Sequence, residues 1–154
     1  MRLRLATPLA LLVLAVPIAA CGESEKDKYI DDFKPLDDKL LDVGGELGAA
    51  VGGADSQSDA ALAKQFGALA TRLEGVNKDI AALDTPSDLE DEAKALNDRI
   101  DATVGDLEAI EKAAREHDAE DAAAATVQLA ADSEEVNAAQ NKLAKATGAE
   151  VGEP

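Results

Sequence analysis

The chain has 154 residues, with 32 acidic against 15 basic side chains, a formal charge of −17 and only 2% aromatic residues. So large an acidic excess argues against nucleic-acid backbones, which call for clustered Lys and Arg, and against flat binding to anionic lipid headgroups, which attract basic segments. Three aromatic side chains, Tyr29, Phe33 and Phe66, with no tryptophan, leave little for the stacking faces that commonly dominate sugar sites and binding hot spots.

The first segment, residues 1–20, carries Arg2 and Arg4, then an apolar run from Leu9 through Val16, then the small residues Ala19 and Ala20. That is the three-part layout of a secretory signal peptide, and the run is short for a membrane span. It ends in "IAAC", which places the chain's only cysteine, Cys21, directly after two small residues. The motif resembles the lipobox of bacterial lipoproteins. The resemblance implies that the Cys21 thiol receives a diacylglycerol, that the leader is cut just before it, and that Cys21 becomes the lipidated, palmitate-bearing first residue. An ordinary signal peptide would leave an odd exported thiol without a role. Two acyl chains are what stable anchoring needs, since one binds only marginally.

Loss of Arg2 and Arg4 with the leader leaves thirteen bases against the same thirty-two acids, a formal −19. Residues 21–28 then read as a lipidated tether. "GESEKDK" has no apolar residue, and seven extended residues reach at most roughly 25 Å. From there apolar residues recur at Tyr29, Phe33, Leu36, Leu40, Val43 and Leu47, alternating four and three, the seam of a helix packed on other helices. Pro35 inside that seam either kinks the helix or opens one near Lys34; the register kept by Tyr29 and Phe33 favours the kink. Helical character is expected to weaken through "VGGELGAAVGG", where glycines are costly.

Ser58 or Asp59 can cap a second helix with the seam Leu62, Phe66, Leu69, Leu73, Val76, Ile80 and Leu83. "TPSDLE" then offers two helix starts: Thr85 as cap with Pro86 following, or a Ser87–Glu90 capping box. The third seam is Leu89, Ala93, Leu96, Ile100, Thr103, Leu107, Ile110 and Ala114, ending near Arg115–His117, where bases suit the negative end of the helix dipole. Asp118 can cap the fourth helix. Its seam is thin, running Ala122, Ala125, Leu129, Val136, Ala139 and Leu143, with Asp132 or Ser133 where an apolar residue is due. This helix is expected to be the least stable. The pattern predicts an all-α, up-down-up-down four-helix bundle over 29–147, about 35–40 Å long, with a frayed tail at 148–154.

Chemistry is sparse. His117, the only histidine, stands three residues before Glu120, a spacing that could share a metal, but Asp118 between them reads as a cap on a turn. Di-iron bundles use Glu-x-x-His pairs, and position 114 is alanine. "DSQSDA" from Asp55 opens like a calcium loop, yet Ala60 and Phe66 stand where glycine and glutamate are required. No G-x-S-x-G, Walker, HExxH or paired-cysteine motif is present. The expectation is therefore no catalytic residue, no cofactor and no metal.

The chain after the leader is similar to small, alanine-rich helical lipoproteins of high-GC Gram-positive bacteria, on the strength of "IAAC", the acidic tether and "TPSDLEDEAKAL". Its third and fourth helices also look like the b-type cytochrome bundle, whose haem is held by methionine and histidine. Here Met1 is the only methionine, which excludes that haem. The expected protein is extracytoplasmic, held to the cell membrane by the lipid on Cys21, with an interaction or structural role and a partner in the envelope. The alternative is a lipoprotein binding a small ligand or a divalent cation. Ile30, Leu41 and Val51, beside the first seam, either mark an added binding face or widen the core stripe.

Overall fold

In the computed structural model, residues 24–148 are described, and the expected leader, Cys21 and nearly all of the expected tail lie outside them. Four helices account for nearly all of it: α1 (Glu25–Gly52), α2 (Asp59–Ala81), α3 (Glu90–Glu116) and α4 (Ala119–Thr147), with a single 3-10 turn at Ala54–Ser56. Short connections place successive helices side by side, giving the all-α four-helix bundle that the seams predict. α3 is its centre, packed broadly against α2 and α4. α1 leans on α2 and meets α4 at few points.

α1 starts earlier than its seam. Ser24 is the cap: its Oγ accepts from the Asp27 amide, and Asp27 returns a bond to the Ser24 amide, a reciprocal capping box. Residues 25–28 are therefore helical rather than part of a tether. Pro35 lies inside continuous helix, so no new helix opens near Lys34. Proline has no N–H to give the Asp31 carbonyl, and both residues lie on the exposed face of the helix. The helix also runs through Gly44, Gly45 and Gly48 to Gly52. Burial of Val43, Leu47 and Ala50 on α2 and the core outweighs the local preference of glycine.

α2 and α3 follow their seams closely. Phe66, Leu69, Leu73, Val76 and Ile80 are buried on α2; all eight seam positions from Leu89 to Ala114 are buried on α3. Gly67 permits one close approach, since a Cβ there would sit 2.6 Å from the Glu111 carboxyl. Neither cap expected in "TPSDLE" forms. Leu89 takes the N-cap place without a side-chain bond, and its amide closes a turn onto Pro86 at 2.9 Å. Leu89 is fully buried and Pro86 is also buried. Apolar burial has won over the hydroxyl caps, and Glu90, Asp91 and Glu92 serve the helix dipole instead.

α3 ends at His117 in the left-handed region, φ 58°, with the Asp118 amide donating back to Ala113 at 2.9 Å. Asp118 then caps α4 as expected, its Oδ1 accepting from the amides of Glu120 and Asp121 at 3.1 and 3.0 Å. Asp118→Ala should cost about 1 kcal/mol of stability, measured by thermal melts, and an unchanged melt would contradict the capping role. The α4 seam is as thin as its spacing implies: only Leu129, Ala139 and Leu143 bury apolar side chains fully, with Asp132 among them. Gly148, at φ 78°, ends the helix in a conformation that suits glycine.

Candidate functional site: an apolar groove between α1 and α4

The wide spacing of α1 from α4 leaves a groove of about 540 Å³, within the range of small-molecule sites. Its floor is core: Leu40, Val43, Leu47, Leu73, Ile100 and Leu129. Its α1 wall carries Leu41 and Val51, 61% and 37% exposed, beside Gly44, Gly45 and Gly48. A Cβ added at any of those three glycines would meet nothing within 4 Å. No neighbour demands their smallness; what their missing side chains leave is space.

The α4 wall is different. Thr126, Ser133, Asn137 and Gln140 fall on one face at helical spacing, interleaved with Ala130 and Val136. Thr126 and Ser133 return their hydroxyls to their own helix, donating to Ala122 and Leu129 at 2.8 and 2.7 Å. Gln140 reaches across, its Nε2 donating to Asp37 Oδ1 at 2.9 Å. Asp37 is half-buried. Burial pushes its carboxyl above the usual range, the Gln140 bond pulls it back, and the Asp38 charge adds to the rise. No charged side chain lines the groove itself. It is an apolar trough with one neutral polar wall and a carboxylate at one end.

A second feature lies between α3 and α4. Asp132, 9% exposed, accepts from Gln128 Nε2 at 3.1 Å and sits beside Asp106. The Asp106 carboxyl is pushed up to about 6 by burial, by its hydrogen bond with Asp132 and by the charge of Asp132. Its Oδ2 is buried without a partner. The polar interruption that the α4 seam shows at position 132 is thus one side of an interface between two acids, of which Asp106 is the one driven toward its neutral form.

The remaining expected positions are quickly placed. His117 Nδ1 lies 2.5 Å from Asp59 Oδ2, joining the end of α3 to the start of α2, and both side chains are exposed. Glu120 is instead drawn to Asp118 through its amide. The "DSQSDA" stretch is divided between the end of the 3-10 turn, the Ser58 cap and the first two residues of α2. Among the described residues no group of three or more His, Cys, Asp or Glu is placed to hold a metal ion. No helix among them is long and apolar enough to cross a membrane. Cys21, the expected lipidation site, lies outside the described residues.

Sequence reading had singled out Leu41 and Val51 but not the groove. It took Gly44, Gly45 and Gly48 as a weakening of the helix. The signal that could have found the site is their i, i+1, i+4 spacing beside Leu41, which puts unfilled positions on the face next to the seam. The chain matches no family model, and neither curated proteins nor solved structures give a match to it.

Proposed function

We propose that this is a lipid-anchored, extracytoplasmic, non-enzymatic binding protein of the cell envelope, whose α1–α4 groove takes up an apolar ligand. The observation that carries the binding reading is the groove's α1 wall: two exposed large aliphatics beside three glycines with open space over them. Exposed apolar side chains grouped around a concavity mark binding surfaces more often than solvent faces. Of the two classes left open by the sequence, this favours a ligand binder over a purely structural role, and an apolar ligand over a divalent cation.

The anchor reading rests on "IAAC" at the end of a signal-like leader. Since α1 begins at Glu25, the chain from Cys21 to the first helical turn spans at most about 14 Å. The bundle is thus held closer to the bilayer than the seam alone implied. The groove begins about 20 Å further along α1 and ends near 40 Å.

Two experiments test the two halves. Cys21→Ala, expressed in a bacterial host, should lose acyl labelling and membrane retention together; a mutant still labelled contradicts the anchor. Dodecyl maltoside, below its micelle concentration, should raise the melting temperature saturably, as a ligand specific for the folded state must. Leu41→Asp should remove that rise while folding normally, because Leu41 is mostly exposed.

A further inference from the structure

We infer that the groove's ligand is a single-chain amphiphile with a cationic head, its alkyl chain along the groove and its head at the Asp37–Gln140 end. This rests on the proposed ligand-binding role of the groove and specifies the chemistry of what is bound.

The dimensions suit an extended chain. Along α1 the groove runs from Leu40 to Val51, and along α4 from Thr126 to Gln140, a length of about 16–21 Å. A trough of that length and about 540 Å³ accommodates a single alkyl chain lying along it.

The charges select the head. No Lys or Arg lines the groove, so a carboxylate, sulfate or phosphate head would find no counter-charge. At the Gln140 end stands Asp37, half-buried and held by the Gln140 amide at 2.9 Å, with exposed Asp38 next to it. Lys34, an exposed base one turn before Asp38, offsets part of this locally. The whole chain carries −17, a field that gathers cations and repels both anionic lipids and a second copy of the chain. Ser133 and Asn137, along the α4 wall toward Gln140, add neutral hydrogen-bonding groups that an ammonium or amide head can use.

The test is titration calorimetry of the chain expressed from Gly22, which keeps every core residue found among the described residues, with three surfactants sharing a dodecyl chain. These are dodecyltrimethylammonium, dodecyl maltoside and dodecyl sulfate, each below its micelle concentration and at physiological salt. The cationic head should bind about five- to tenfold more tightly than the neutral one, as one partly screened charge pair implies, and the sulfate more weakly than either. Asp37→Asn should erase the cationic advantage and leave dodecyl maltoside unchanged. Gly48→Leu places a side chain in open space and should raise the melting temperature, so loss of binding by all three surfactants cannot be ascribed to unfolding. Equal binding of cationic and neutral heads, or tighter binding of the sulfate, overturns the head-group inference while leaving the groove as a site. Binding of dodecyltrimethylammonium that persists in Gly48→Leu is adsorption to the acidic surface and overturns it as well. No saturable binding by any of the three overturns both this inference and the ligand-binding role.

Discussion

At neutral pH, Asp106→Asn should melt at a higher temperature than the wild type, and its stability should vary less between about pH 4 and 6. The folded wild type holds the Asp106 proton up to about 6, whereas an unfolded aspartate releases it near about 3.9. The native state therefore binds the proton more tightly. Lowering the pH through about 6 stabilises the fold, and the gain is complete once the unfolded side chain is also protonated, below about 4. Burial moves Asp37 in the same direction. Fully realised, the Asp106 displacement corresponds to about 3 kcal/mol. Asp106 is only partly buried, and solvent screening reduces the expected gain in the asparagine variant to about 1–2 kcal/mol. Added salt should raise the wild-type melting temperature too, by screening an acidic excess of more than two to one. Melts of both proteins from pH 7 to 4 decide the matter. A wild type that loses stability steadily on mild acidification, or an asparagine variant that melts lower at pH 7, contradicts the raised Asp106 carboxyl.

The second large effect separates core from groove. Leu107→Ala should cost about 2–5 kcal/mol, since it removes a fully buried side chain from the central helix and leaves a cavity. Leu41→Ala should change stability by no more than about 0.5 kcal/mol, because Leu41 is 61% exposed, yet should weaken an apolar ligand severalfold. Urea or thermal unfolding of the two variants, with ligand titration of the second, checks both statements. A Leu41→Ala variant as unstable as Leu107→Ala would mean that the groove closes and Leu41 belongs to the core. Hydrogen exchange offers an independent view. α3, covered on two sides, should be best protected, and α4 with its two buried leucines much less.

Much of the bundle is legible in the sequence because large aliphatic residues repeat along one stripe of each helix. On α2 and α3 the seam names the buried residues almost one for one. Local signals fared worse where packing opposed them. The glycines of α1 argue against helix residue by residue, yet Val43, Leu47 and Ala50 hold that stretch against the bundle. Thr85 and Ser87 offer caps that the buried Leu89 and Pro86 override. Asp132 is visible in the sequence as a break in the α4 seam; its partner Asp106 is not, because their pairing depends on how α3 and α4 are set against each other. The groove is hidden for the same reason. It exists because α1 and α4, remote in sequence, stand apart, and no spacing within either helix records that distance.

The measurement that tests the account most directly is a set of amide proton–nitrogen NMR spectra of the chain expressed from Gly22, recorded as dodecyl maltoside is added below its micelle concentration. A binding protein whose groove lies between α1 and α4 should show saturable shifts confined to Leu40–Val51, Thr126–Gln140 and the floor positions around Leu73 and Ile100, with the rest of α2 and the outer face of α3 undisturbed. Shifts scattered over the surface, or none at concentrations approaching the micelle threshold, would contradict it.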